Sequence, residues 1–207
     1  MTDKTKKSHA VHKAAILMAA VIFIFIWLSN VVQAQAATDY LGIPGPIGFQ
    51  GTDHVLVWSS QASPDYTKQE YLSQGQTPDA YTDMVLVETL ATLDSPENIS
   101  ARMVDALDQR KATDPLVNHA ILRNDAQSEV ILDFLLSSQT PDGERIIEWN
   151  AYRYTELPRD VPGILLLGIS RRAYGDADAQ TFMQELGQMR GEAINALATM
   201  PVPQPTR

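Results

Sequence analysis

The chain has 207 residues, of which 44% are hydrophobic, 20% charged and 7% aromatic, with 11 Gly, 12 Pro and no Cys, a globular composition rather than a disordered or collagen-like one. With 16 basic residues against 25 acidic ones the net charge is -9 and the pI about 4.8, which argues against a polyanionic partner, so no nucleic acid is expected. The lack of cysteine excludes disulfides, thiolate zinc sites, iron–sulfur clusters and cysteine nucleophiles.

Lys4, Lys6, Lys7 and Lys13 supply positive charge before an uncharged run over residues 14–28, and Ala34-Gln35-Ala36 before Ala37 has the small-x-small form that a signal peptidase reads. The pattern predicts a signal peptide over 1–36, cut after Ala36, and a periplasmic or secreted mature chain. Its apolar core of about 15 residues is shorter than the roughly 20 of a spanning helix, although residues 10–32 would serve as a tether if uncleaved. A membrane is expected as a partner only in that case. Cleavage removes four Lys and one Asp and so leaves 12 basic and 24 acidic side chains, a net charge of -12.

Residues 37–52 are rich in Gly and Pro and read as an extended lead-in, whose Leu41, Ile43, Ile47 and Phe49 would pack along the domain or into a partner groove. A single domain follows over 53–200. Residues 54–59 and 67–72, rich in β-formers and separated by Ser63-Pro64-Asp65, predict a hairpin. Thr77-Pro78 opens a turn of helix, and 84–90 predict a third strand, with helix as the alternative. Ser95, Pro96 and Glu97 start an amphipathic helix that runs to about Lys111 through Ile99, Met103 and Leu107. Strands over 116–124, 129–137, 145–154 and 164–171 then form a meander with short turns. A last helix is capped by Asp176 or Asp178 and bent at Arg190-Gly191, before a Pro-rich tail over 201–207.

This order predicts an α+β domain with an antiparallel sheet of about seven strands. The nearly all-apolar run 164–169 calls for a central strand covered on both sides, hence helices on both faces and a three-layer sandwich.

With Trp58, the segment 69–77 running into Tyr81-Thr82-Asp83-Met84, and the later antiparallel run, the chain resembles the Mog1/PsbP-like α+β sandwich. It also resembles uncharacterised exported bacterial proteins that carry segments like Glu148 to Tyr154 and Ser170 to Asp176. The first resemblance implies a module that docks on larger complexes, with no catalytic apparatus.

The mature chain holds only His54 and His119, on separate runs, so no metal site is expected. No phosphate loop or dinucleotide fingerprint is present, and no cofactor is expected. Gly168-Ile169-Ser170-Arg171-Arg172 begins like a nucleophile elbow but has Arg where the second Gly belongs. No catalytic residue is therefore assigned.

Alternation places Glu148, Asn150, Tyr152 and Tyr154 on one face of their strand and Ile147, Trp149, Ala151 and Arg153 on the other. Arg153, with Arg171 or Arg172, Asn150 and Tyr174, is the candidate ligand-binding set, a basic notch suited to a carboxylate or phosphate. The competing expectation pairs these arginines with Asp133, Glu148 and Asp176 in structural ion pairs. Trp58, Tyr66, Tyr71, Tyr81 and Trp149 form an aromatic group that lines either a pocket or the core. The reading is an exported, non-enzymatic binding or assembly module for an envelope protein or a small anionic ligand. Its rivals are an exported enzyme built on Asp133, Glu148 and Arg153, and a membrane-tethered structural protein.

Overall fold

The computed structural model describes residues 37–157 and 162–206. The predicted signal peptide, with Ala34 and Ala36, lies outside the described residues, and Ala37 is the first of them. Ten elements follow in chain order: β1 (Ile47–Phe49), β2 (Thr52–Ser63), β3 (Tyr66–Leu72), β4 (Asp83–Ala91), α1 (Pro96–Arg110), β5 (Asn118–Asn124), β6 (Glu129–Gln139), β7 (Arg145–Glu156), β8 (Gly163–Tyr174) and α2 (Gly175–Thr199).

All eight strands join one sheet in the order β1-β2-β3-β4-β8-β7-β6-β5, each pair antiparallel. Two hairpin runs, β1–β4 and β5–β8, meet where β8 pairs with β4. The run Gly163 to Ser170 is buried at every position, because both faces of this central strand are covered.

The three-layer sandwich, with a helical layer over each face, does not form. Strand outweighs helix, 45% against 24%, and the eight strands curl into a half-barrel with only two helices among the described residues. A wide antiparallel sheet carries the twist of every strand, and the bulges between β2 and β3 at Leu56/Trp58 and Ser60/Ser63 add bend. The curled sheet therefore buries much of its own apolar surface. α2 packs on β7 and β8, and α1 on β5, β6 and β7. Neither packs extensively on β2, β3 or β4, so neither makes a layer.

Side-chain alternation gives two apolar clusters. The first face carries Val85, Val87, Trp149, Ala151, Leu165, Leu167 and Ile169 under the α2 residues Ala179, Ala193, Ile194 and Leu197. The second carries Leu86, Leu132, Phe134, Tyr154, Ile164 and Leu166, with Leu107, Met103 and Ile99 of α1.

The lead-in is part of the core rather than an arm beside it. Leu41, Ile47 and Phe49 are buried in the first cluster. The Gln69 carboxamide accepts from Tyr40 N at 2.7 Å and Leu41 N at 3.0 Å, and Tyr71 donates to Ile43 O at 2.7 Å. Its last residues form β1, an eighth strand not expected. Gln50 and Gly51 both have positive φ, 46° and 82°, the backbone of a two-residue hairpin turn whose twist suits the flanking strands. Gly51 supplies that conformation freely, but Gln50 lacks the usual Asn or Asp signal.

α1 starts as expected, with the Ser95 hydroxyl accepting from Asn98 N. α2 differs from expectation at two points. Its N-cap is Tyr174, with no side-chain capping bond, while Asp176 pairs with Arg145 at 3.2 Å. It also runs unbroken through Arg190-Gly191. A Cβ at Gly187 or Gly191 would meet nothing, so these glycines lie along open surface. They cost helix propensity, about 1 kcal/mol each, which the packing of Ala193, Ile194 and Leu197 offsets. No helix among the described residues is long and apolar enough to cross a membrane.

Candidate functional site

The five predicted ligand-binding residues do not meet in one notch. β7 and β8 are in direct register, with Asn150 opposite Ser170 and Trp149 opposite Arg171. Alternation therefore sends Arg153 and Arg171 to the first face, and Asn150, Arg172 and Tyr174 to the second.

On the first face, Arg153 is buried and grips Glu129 with Nη2 at 2.7 and 2.9 Å and Nε at 3.2 Å. Its Nη1 donates to Leu197 O at 3.1 Å and Met200 O at 2.8 Å, closing the C-terminal end of α2. The expected partner Asp133 is taken instead by Arg190, at 2.5 and 2.9 Å, and by Trp149 Nε1 at 3.4 Å. Arg171 Nε donates to Asp83 at 2.8 Å, and its Nη2 to Gln50 at 2.7 Å. Asp83 in turn accepts from buried His54 Nε2 at 3.0 Å. Both arginines thus brace structure.

The second face differs at its β3–β4–β8–β7 end, where helix cover is thin. Here a cleft of about 120 Å³ is lined by Lys68, Glu70, Tyr81, Glu148, Ser170 and Arg172, with Tyr152 and Leu86 among the other residues. Arg172 Nε donates to Glu148, and its guanidinium lies 4.2 Å above the centre of the Tyr81 ring. Tyr81 lies 3.4 Å from Glu148 as a donor, and the Tyr81 and Ser170 hydroxyls share a hydrogen bond of 2.8 Å. Asn150 Nδ2 donates to Glu148 at 2.9 Å. Tyr174 donates to Tyr81 O at 2.9 Å and so holds Tyr81 from behind. On β3, Lys68 is 2.9 Å from Glu70 and 3.7 Å from Glu88. Gly168 lies between Leu86 and Tyr152, where a Cβ would come within 2.8 Å of both side chains.

The charges in this cleft are held. Burial disfavours the cationic forms of Arg172 and Lys68, but the adjoining carboxylates outweigh it and both pKa values rise. Burial, followed by the Glu148 charge, pushes the Tyr81 phenol upward against the opposing pull of Ser170 and Arg172. Tyr81 therefore keeps its proton at neutral pH. Outside the lining, the fully buried Asn150 keeps an Oδ1 that accepts no hydrogen bond from the protein.

Lys68, Glu70, Tyr81 and Ser170 were not among the predicted ligand-binding residues. The alternation of Tyr66, Lys68 and Glu70 marks one face of β3, but only the β3–β4–β8–β7 register brings that face to Arg172 and Glu148. Of the aromatic group, Tyr71 and Trp149 are core on the first face, whereas Tyr81 lines the cleft and Trp58, opposite Glu70 in register, is exposed beside it. Among the described residues no group of three or more His, Asp or Glu is placed to hold a metal ion.

Fold and cleft together define a curled-sheet module with a small polar seat on the thinly covered end of one face. The chain belongs to an uncharacterised protein family, whose model matches residues 41–202. Searches of curated proteins and of solved structures found no match, and the Mog1/PsbP-like resemblance is without support from any comparison.

Proposed function

We propose that the protein is an exported binding module that holds a small, electrically balanced polar group in the cleft between β3, β4, β8 and β7. Export rests on the Lys-rich start, the apolar run and the Ala34-Gln35-Ala36 site. The binding role rests chiefly on the lining of that cleft, where the Tyr81 and Ser170 hydroxyls stand among the paired charges of Lys68, Glu70, Glu148 and Arg172. Asn150, fully buried and outside the lining, steadies Glu148 through Nδ2 at 2.9 Å. Lys68 and Arg172 stand against Glu70 and Glu148 in the lining, so a free carboxylate or phosphate finds both cations already engaged. Hydroxyl and amide groups suit the cleft better than the anion expected from sequence. Such a group belongs equally to a small molecule or to the tip of an envelope partner.

The test is calorimetric titration of wild type, Tyr81→Phe and Ser170→Val with a panel of sugars, amides and amino acids. A ligand bound by wild type and weakened at least tenfold in both variants supports the cleft as the seat. Equal binding to all three proteins would sink the proposal. Cell fractionation with N-terminal mass measurement tests export, which predicts a mature chain beginning at Ala37.

A further inference from the structure

A second cavity opens on the same face, toward the other end of β3 and β4. It encloses about 290 Å³ beneath α1, and its walls are mostly carbon: Leu90, Ile99, Met103, Tyr154, Ile164 and Leu166. Taking about 30 Å³ per water-sized group, it holds roughly eight to ten non-hydrogen atoms.

The polar groups in this wall are few. Arg102 is mostly exposed and is tied to Asp94 at 2.5 Å. Glu88 accepts from the Tyr66 hydroxyl at 2.8 Å, and its nearest cation, Lys68, is 3.7 Å away. That lysine is closer to Glu70, at 2.9 Å. Two carboxylates thus share one ammonium, and Glu88 has the weaker hold on it. A carboxylate offers about four lone-pair sites, and Glu88 uses only one of them well. The cavity is therefore apolar with a partly unmet negative charge on its wall.

We propose that this cavity binds a small organic ammonium ion with an apolar body of about six to eight carbons, its nitrogen on Glu88. The charge decides the ligand class. A fatty acid of the same size would place its carboxylate against Glu88, whereas an ammonium completes the carboxylate's hydrogen bonding and shares its charge with Lys68. The Tyr66 and Tyr154 rings line the same cavity and suit a cation, since aromatic faces attract positive charge. This inference does not rest on the polar cleft, since it uses neither Asn150 nor Ser170.

Titration of the full-length chain at low ionic strength with hexylammonium, hexanol and hexanoate tests it. Hexylammonium should bind at least tenfold more tightly than hexanol, and hexanoate more weakly than either. Glu88→Gln should remove the preference for hexylammonium over hexanol, and Ala106→Trp, an exposed α1 position at the cavity wall, should weaken both ligands. Ser170→Val should leave all three affinities unchanged, which separates this site from the polar cleft. Circular dichroism of each variant verifies that it is folded. Failure of all three ligands to bind, hexanoate binding as tightly as hexylammonium, or unchanged hexylammonium affinity in Glu88→Gln would each overturn the proposal.

Discussion

Replacing Arg153 by Ala should destabilise the domain by about 3–5 kcal/mol, the range for stripping one partner from a buried ion pair. The structure supports a value near the top of that range. Arg153 and Glu129 are both largely buried, with side chains 7% and 15% exposed, and the substitution leaves the Glu129 carboxylate without the guanidinium that neutralises it. It also frees Leu197 O and Met200 O, the carbonyls that Arg153 Nη1 satisfies at the end of α2, where a positive charge is favoured by the helix dipole. For a domain of this size, 1 kcal/mol shifts the melting temperature by about 2–4 °C. Calorimetry should therefore record a fall of about 6–20 °C, and urea denaturation a lower midpoint. The double variant Glu129→Leu with Arg153→Met should recover much of the loss, because it removes the buried charge while keeping volume. It should still fall short of wild type by about 1–3 kcal/mol for the freed carbonyls. A fall of less than 3 °C in Arg153→Ala would refute this account and return Arg153 to the list of ligand-binding candidates.

His54 makes stability depend on pH. Its Nδ1 faces only carbonyls, Ile47 O at 3.3 Å and Thr52 O at 3.1 Å, and its Nε2 faces Asp83 at 3.0 Å, partners that favour the protonated ring, in which both nitrogens donate. Burial pulls its pKa down, but Asp83 and the carbonyls outweigh it and raise the value above the ordinary 6.5. The stabilisation is then complete below pH 6.5 and lost as pH rises through the raised pKa; chemical denaturation of wild type and His54→Gln should converge at high pH, and parallel profiles would contradict it. Gly168→Ala should cost about 1–3 kcal/mol through overpacking, since the new methyl meets Leu86 and Tyr152 at 2.8 Å, and a stability within 0.5 kcal/mol of wild type by urea titration would show that these side chains yield freely. Deleting residues 37–48 should lower stability by about 4 kcal/mol or more, because it exposes the seats of Leu41 and Ile47 and strips partners from Gln69 and Tyr71; a melting temperature within 2 °C of wild type would restore the peripheral-arm reading.

Alternation and capping made several features legible before any coordinates. The two-residue period of β7 divides Glu148, Asn150, Tyr152 and Tyr154 from Ile147, Trp149, Ala151 and Arg153, as the two clusters confirm for the apolar members. The apolar run of β8 marked it as central, and Ser95-Pro96-Glu97 marked the start of α1. These properties depend on neighbours within a few residues, so the chain states them locally. Which acid meets which arginine is a different kind of fact. Glu129 rather than Asp133 faces Arg153, because that pairing follows from the β6–β7 register together with the end of α2, 44 or more residues away.

The same distinction explains the errors in architecture. A buried strand needs cover on both sides, but its sequence does not say whether a helical layer, a curled sheet or an N-terminal segment provides it. β1 has only three residues, too few for a visible period, and it exists because Gln50 and Gly51 turn it onto β2. The cleft depends on still longer connections, since β3, β4, β8 and β7 each contribute side chains that are adjacent only through register. The sequence by itself therefore determined the strand faces, the α1 cap and the absence of cysteine chemistry, all set by residue type and short-range geometry. Only the tertiary structure decided the half-barrel, the ion-pair partners and the unpaired acceptor of Asn150, because each is set by contacts between segments that the chain holds far apart.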